Sequence, residues 1–582
     1  MLRSFLLTIT LCLIAFPAFA IWDEDGLEDA LPIYETERER LVWEGREHLM
    51  PGQDRLSDPP PLAPVRNVAE WEPCSGVIIR YPLGIPYSLV RDLDDDNTVH
   101  VVVSSGYQSQ AQSNLTSNGV DMSKVEFLVQ SNDSWWTRDY GPWYVFDGNG
   151  EVAIIDHTYN RPYRPNDNLI PIYFANQQGI PVHSHDMYFT GGNYMTDGHH
   201  IGSSTELVYN EAWSNNGMNE AAVDQLVFDY YGVDNYMVLD YIESGGIHHI
   251  DTWAKFLDEE TVLVKDVWTS HGTYDDLNQR ATLLASLPSS TGRNYRVYRI
   301  YCYSTSSGPA SYTNALINNN RIYVPTFGNS SYDNTAMAVY EEAAPGYEVL
   351  GYSGSWYSDD ALHCRTKNAH DVGMLRVEHA PYRDGEFHEA PVPITAMVDD
   401  RSETGVSEVT LHYRFDVGPW LFEPMVNVGG DNYEFVFPAP TGPRDVITQV
   451  SYYIHAEDNS GRAEGMPRTE PEAWYTFDMG YPTDVETPAA GPVKLNANYP
   501  NPFNPKTTFS FELEYADQVL LEVFDATGRR VRTLIDGQCN AGRTQVEWNG
   551  TDDQGRELSS GVYLYRLRAA GIQYSRPAVL AK

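Results

Sequence analysis

Between about residues 70 and 380 the chain returns three times to one order of elements, and no other feature limits its fold as strongly. Val99–Ser105 is an apolar, β-branched run, Gln108–Ser117 has the spacing of a short helix, and Val125–Val129 is strand-like again, leading into NDSWWTRDYGPW. Glu220–Tyr231 places Val223, Val227 and Tyr230 on one helical face and stops at Gly232; Tyr236–Tyr241 then reads as a strand and GGIHHIDTW follows. Thr335–Ala343 reads as helix, Pro345-Gly346 as turn and Tyr347–Tyr352 as strand, before DDALHCRT. Each helix–strand pair delivers reactive side chains within about a dozen positions, so equivalent ends of repeated units can point into one centre. Stacking around an axis would bring residues roughly 110 positions apart into a single pocket. An ordinary α/β sheet satisfies the same periodicity.

Such a core needs apolar surface, and 42% hydrophobic and 13% aromatic residues in 582 supply it, which excludes a mostly disordered chain. With 39 Lys+Arg against 81 Asp+Glu, the net charge of −42 excludes a surface that neutralises phosphates, so no nucleic-acid partner is expected. The first twenty residues carry Arg3, an apolar run from Phe5 to Phe16 and the small-x-small pattern Ala18-Phe19-Ala20. That run is too short to span a bilayer and reads as a signal peptide, the alternative being a membrane anchor; no transmembrane segment is expected in the mature chain. Residues 21–65 read as an acidic leader or pro-segment, or equally as an arm packed on the next domain. They hold a possible helix around Tyr34–Met50 and end in DPPPLAPVR.

Removing Cys12 with the signal leaves Cys74, Cys302, Cys364 and Cys539. They are too few and too scattered for a disulfide scaffold, with one or two bridges at most, and no spacing suggests a metal site. A cysteine inside a motif of its own is then a candidate nucleophile. Cys364 lies in HCRT and would need a base, His363 or His249, to form its thiolate. His249 and Asp251 in HHID would share one face of an extended strand. Asp139 sits beside Trp135, Trp136 and Arg138, with Arg138 as an available ion-pair partner, and Asn314 in SYTNALINNN could hold a dipole in place. Two carboxylates beside a thiol suit a planar cation with several N–H donors, since both can grip a guanidinium while the sulfur faces its carbon. A cysteine protease would need an oxyanion hole and has no use for two acidic clamps.

WWTRDYGP, TGGNYMTDG (Thr190–Gly198), HID (His249–Asp251), YTNAL (Tyr312–Leu316) and ALHCRT resemble, in order, the motifs of the guanidine-modifying pentein superfamily, and most closely those of bacterial peptidylarginine deiminases related to agmatine deiminases. The resemblance implies an α/β fold, a five-bladed α/β propeller spanning 66–382 with a central active site. It implies that Cys364 attacks the guanidinium carbon, that Asp139 and Asp251 bind its nitrogens, and that His249 protonates departing ammonia and then activates water. Asn314 would position the reacting groups and Trp136 would wall the substrate, with no cofactor and no metal. YNRPYRPNDN resembles a segment whose two arginines hold the α-carboxylate of a C-terminal arginine. Arg161 aligns with it directly, and Arg164 only after a one-residue insertion. Gly246 stands where related chains carry a Tyr. Expected substrates are arginine-containing peptides, converted to citrulline and ammonia. The alternatives are a deiminase of agmatine or free arginine, a silent adhesin or a cysteine protease.

Residues 383–482 alternate like short antiparallel strands and resemble an immunoglobulin-like domain. After a linker, 483–582 continue through YPNPFNP to a small β-sandwich resembling the C-terminal sorting domain of the type IX secretion route. That implies the secretion machinery as a partner and a secreted or outer-membrane surface location.

Overall fold

The structure is a computed structural model of the chain and describes residues 35–46, 50, 57–95, 97–242, 246–438, 447–480, 493–496, 498, 500–501, 503–513, 515–525, 529–569 and 572–581. The expected signal peptide, residues 21–34 of the leader and the linker at 481–492 lie outside the described residues. The chain forms two compact units: one of Met1–Glu386, Pro393–Val436 and Gln449–Phe477, the other of Phe387–Val392, Phe437–Thr448 and Asp478–Lys582.

In the first unit one plan recurs. A strand pairs antiparallel with the next, and a helix then carries the chain to a third strand parallel to the second. Trp143–Phe146, Val152–Tyr159, the helix Ile170–Gln178 and Val182–Phe189 form one such sheet. Met195–Thr196, Ile201–Thr205, the helix Glu220–Tyr231 and Asn235–Leu239 form the next. Ala254–Phe256, Thr261–Asp266, the helix Tyr274–Leu284 and Arg296–Tyr301 form a third. Leu316–Asn318, Arg321–Thr326, the helix Ser330–Ala343 and Glu348–Ser353 form a fourth. A fifth sheet joins the two ends of the region. Lys367–His370 lies antiparallel to Cys74–Tyr81, which is parallel to Thr98–Val103, and Val125–Val129 extends it beyond the helix Gln108–Ser117.

Local chemistry explains these elements. In Thr98–Val103 the valines at 99, 101, 102 and 103 are fully buried, as expected for a strand covered on both faces, and each contributes about 1.5 kcal/mol or more. The helix Glu220–Tyr231 begins at Asn219, whose side chain accepts from Ala222 N at 2.9 Å, and ends at Gly232 in the left-handed region with φ 71°. Residues at the sheet ends then fold into short helical turns, Thr137–Tyr140, Gly191–Asn193, Ile250–Thr252 and His363–Arg365, which carry the candidate site.

The β-rich segment expected at 383–482 comprises two sheets. One contains Leu375–Glu378, Val392–Asp400, Asn432–Phe437 and Val426–Gly429; the other contains Tyr475–Gly480, Thr448–Asp458, Val406–Phe415 and Leu421–Pro424. Most of it belongs to the same compact unit as the five sheets. Arg462 makes two bonds to Asp371, at 2.6 and 2.9 Å, and Arg383 pairs with Glu260 at 2.5 Å. In the second unit, residues 493–581 build a small sandwich around Phe509, Phe511, Trp548, Tyr565 and Leu567. The helix expected around Tyr34–Met50 is described over Glu37–Trp43 only, started by a capping box between Thr36 and Glu39. Cys74, Cys302, Cys364 and Cys539 are all free thiols, so the one or two bridges allowed by sequence are not formed among them.

Candidate active site

Four of the helical turns and the segment around Asn314 meet at one buried point. Cys364, His249, Asp139 and Asn314 are fully buried, Asp251 is 6% exposed and Trp136 1%. The GGN turn explains how they come so close. A Cβ on Gly192 would lie 2.6 Å from both Asp139 Oδ1 and His249 Nδ1, and one on Gly191 would lie 2.1 Å from the Arg138 carbonyl. Only glycine leaves room there. The Gly192 N–H donates to Asp139 Oδ1 at 3.2 Å. Asn193 fastens this turn to its neighbours, its Oδ1 accepting from Thr205 N, Thr205 Oγ1 and Ile250 N at 3.0, 2.9 and 3.1 Å.

Asn314 holds the cysteine. Its Nδ2 donates to Cys364 Sγ at 3.3 Å and to Asp251 Oδ2 at 3.2 Å, while its Oδ1 accepts from Ala361 N and Cys364 N. The thiol lies 3.7 Å from Asp251 Oδ2. His249 Nδ1 is 3.5 Å from Asp139 Oδ1. Within this cluster four buried polar atoms have no hydrogen-bond partner: Asp139 Oδ2, Asp251 Oδ1 and both ring nitrogens of His249. Buried polar atoms in a folded protein are normally satisfied, so a thiol flanked by unsatisfied carboxylate oxygens marks a place built for a ligand that donates hydrogen bonds.

The electrostatics agree. Burial, then the charge of Asp251, pushes the Asp139 carboxyl up to about 7, against the pull of Arg161 and Thr190. Burial drives His249 down to about 3 although Asp251 pulls it up, so its imidazole is neutral. Burial would raise Asp251 as well, but hydrogen bonding and charge from His363, with His249 and Lys255, hold it below the usual carboxylate range. Burial, then the charges of Asp251, Asp360 and Asp139, raises the Cys364 thiol well above its ordinary value, opposed by the Asn314 N–H. A cation placed between the carboxylates would offset the part of that shift that their charges contribute.

Three sequence expectations change. His249 and Asp251 do not share a strand: His249 is extended and Asp251 sits in the turn Ile250–Thr252, so the turn rather than pleat alternation turns both inward. Arg138 does not pair with Asp139. Its guanidinium faces the other way, donating to the carbonyls of His363 and Thr366 and to Asn368 Oδ1, and so ties the Asp139 helix to the cysteine turn. His363 does not act on Cys364, because its Nδ1 meets Asp251 Oδ2 and its Nε2 meets Glu70 Oε2, both at 2.7 Å. Glu70 itself gave no sequence signal, since it lies 293 positions from His363.

Trp136 packs edge-on against Trp135 at 5.8 Å and shares a core cluster with Cys364. Arg365 anchors the cysteine turn, its guanidinium 4.8, 5.5 and 5.0 Å from the rings of Trp135, Trp136 and Trp356 and its Nε donating to Asp360 at 3.0 Å. Arg161 is half-buried and its charge reaches both Asp139 and His249. Arg164 is fully buried and its Nε donates to Glu39 Oε1 of the leader at 2.7 Å. Gly246 has φ 97°, a conformation that a side chain such as Tyr would strain. A cavity of about 530 Å³ against Asp258, Glu259, Tyr347, His379, Arg468 and Trp474 has no cysteine in its lining, so the thiol chemistry does not lie there.

The family model of Porphyromonas-type peptidyl-arginine deiminases matches residues 66–369, just over half of the chain, and includes Trp136, Asp139, His249, Asp251, Asn314 and Cys364. The chain belongs to that family. It is accordingly a deiminase of arginine-type guanidines, a hydrolase of guanidino C–N bonds, with a pentein fold. Agmatine deiminase of Medicago truncatula is 26% identical over 288 residues, covering 41% of this chain and 76% of the plant protein. Among solved structures, agmatine deiminase of Enterococcus faecalis matches at 20% identity and TM-score 0.46 over 53% of this chain and 96% of its own. Agmatine deiminase of C. jejuni matches at 18% identity and TM-score 0.44, also over 53% of this chain and 96% of its own. A second model, the FlgD Ig-like domain, matches residues 497–571, within the C-terminal sandwich.

Proposed function

We propose that the protein deiminates the C-terminal arginine of peptides outside the cell, with Cys364 as nucleophile. The observation that carries the chemistry is the pair of unsatisfied buried oxygens, Asp139 Oδ2 and Asp251 Oδ1, beside the thiol. A guanidinium supplies the N–H donors and the charge they lack. With the cation in place the thiol gives its proton to neutral His249, and sulfur bonds to the guanidinium carbon. The C–N bond to one terminal nitrogen breaks as His249 returns the proton, ammonia leaves, and a thiouronium remains on Cys364. Water, deprotonated by His249, adds to the same carbon; the C–S bond breaks, and citrulline is released. Asn314 keeps Sγ and Asp251 in register throughout, and Trp136 walls the pocket, worth about 1 kcal/mol if the cation stacks on it.

Support for a peptide carboxylate comes from Arg161, a cation whose charge reaches Asp139, a carboxylate that must itself bind a cation, and His249. Its charge weakens the grip on a guanidinium alone, a loss that an α-carboxylate on the substrate would reverse. The substrate panel is a peptide ending in arginine, free arginine and agmatine, run with wild type and Arg161→Ala. Loss confined to the carboxylate-bearing substrates supports the peptide reading, whereas peptide and free-arginine turnover unchanged by Arg161→Ala refutes it. We further propose that the five sheets stand as blades around the site. Export rests on the first twenty residues and on the motif resemblance of 483–582, and no helix among the described residues is long and apolar enough to cross a membrane. Loss of surface or medium activity on deleting 483–582 in the native host would support the sorting role; unchanged export would remove it.

A further inference from the structure

Behind Asp251 lies a row of charged groups, His363, Glu70, Lys255 and Arg138. His363, 4% exposed, stands between two carboxylates, Asp251 Oδ2 on Nδ1 and Glu70 Oε2 on Nε2, each at 2.7 Å. Glu70 Oε1 accepts from Lys255 Nζ and from Ile317 N, both at 2.9 Å, and Arg138 stands 3.6 Å from Glu70 Oε2. Two short contacts from one imidazole to two carboxylate oxygens need a proton in each, and a neutral imidazole carries one. The row Glu70–His363–Asp251 therefore has room for a second proton, which the two carboxylates favour while burial and the charges of Arg138 and Lys255 push the imidazole below its usual range. His363 and Asn314 both bond Asp251 Oδ2 and leave Oδ1 unpartnered. We propose that His363 is a positioning residue that fixes the rotamer of Asp251 and keeps it ionised, so that Oδ1 is available to the guanidinium. The groups facing it are Asp251, Glu70, Lys255 and Arg138, and beyond Asp251 come Cys364, His249 and Asp139.

His363→Ala should raise KM about tenfold and add a second ionisation to the acidic limb of kcat/KM, below the Asp139 step near 7, because Asp251 loses the partner that holds its carboxyl low. His363→Gln keeps an N–H donor but cannot take up a second proton, so it should recover KM while its acidic limb keeps the second ionisation. A merely structural role would not separate those two readouts. Thermal melts equal to wild type qualify each variant. An unmoved limb and KM in a folded His363→Ala, or a His363→Gln limb indistinguishable from wild type, overturns the proposal. Where the alanine variant does not fold, the glutamine variant decides alone.

A second contact points to regulation of the same site and rests on the carboxylate-substrate reading above. The leader helix Glu37–Trp43 sends Glu39, fully buried, onto Arg164, with Nε at 2.7 Å and a second guanidinium nitrogen at 3.4 Å. Glu35, just before it, accepts from Tyr163 N at 2.6 Å, and the charge of Arg161 acts on Glu35 as it does on Asp139. Two leader carboxylates thus occupy the segment Arg161–Arg164, where a substrate carboxylate would bind. Farther along, Asp58 accepts from Ser184 N at 3.0 Å and Ser57 donates to Asp186 at 2.8 Å, fastening the leader again. We infer that the leader competes with the substrate's carboxylate and weakens the binding of carboxylate-bearing substrates.

In the full chain, Glu35→Gln and the double variant Glu35→Gln/Glu39→Gln should lower KM for an arginine-ended peptide at least tenfold and leave KM for agmatine unchanged. A peptide KM equal to wild type in a folded Glu35→Gln variant overturns the competition. No peptide turnover by any form, alongside agmatine turnover, overturns the carboxylate reading itself and the competition with it. Because Glu35 is not part of the capping box, its single variant keeps the test valid where the double variant unfolds.

Discussion

Replacing Asp139 by asparagine separates the binding of a cation from the stability of the fold. Burial and the neighbouring Asp251 raise this carboxyl from 3.8 to about 7. An acid raised in the native state stabilises the fold at low pH, and that advantage is lost as pH rises through the native value. A tenfold change in proton affinity is worth ~1.4 kcal/mol, so keeping Asp139 in the core costs about 4 kcal/mol above pH 7 but only ~1.6 kcal/mol at pH 5, where it is protonated. Asp139→Asn carries no charge at either pH and retains an Oδ1 to accept from Gly192 N. Its stability gain over wild type should therefore be ~2–3 kcal/mol larger at pH 8 than at pH 5. At roughly 2 °C per kcal/mol for a region of this size, the difference is about 5 °C. Calorimetry of both proteins at the two pH values, without substrate, reads it directly, and turnover should vanish in the same variant. A gain independent of pH, or a loss at pH 8, would mean that the charge is already compensated and that the pocket does not await a cation.

The same carboxyl sets the pH response of catalysis: kcat/KM should rise as pH increases through about 7, because the proton on Asp139 competes with the guanidinium, and a flat profile from pH 5 to 8 would contradict this. Gly192→Ala puts a methyl group 2.6 Å from Asp139 and His249, so activity should fall at least 100-fold with a much smaller change in melting temperature. Asn314→Ala removes the donor to Sγ and the acceptor for the cysteine turn, so kcat should drop by about 10²-fold while KM changes little; the steady-state parameters of the variant settle it.

Local periodicity made much of the fold legible. The helices Gln108–Ser117 and Glu220–Tyr231 and the strand Val125–Val129 lie where spacing and caps put them, because each pattern is set by neighbours a few residues apart. The candidate set at 139, 249, 251, 314 and 364 meets in one place, since repeated units end alike. What stayed hidden depends on distant pairing. HHID alternates like a strand yet folds as a turn, held by Asn193 from 57 positions away. Arg138 looked like the partner of the adjacent Asp139 but is recruited by carbonyls more than 220 positions on. Glu70 and the leader's Glu39 acquire meaning only against His363 and Arg164.

The most direct measurement gives the purified chain a peptide ending in arginine, agmatine and free arginine, and follows citrulline or carbamoylputrescine together with ammonia. Wild type should release ammonia and the ureido product in equal amounts from at least one substrate, and Cys364→Ala, equally folded, should release neither. Ureido product formed undiminished by Cys364→Ala, or no product from any of the three with wild type, would contradict a Cys364-based guanidine deiminase.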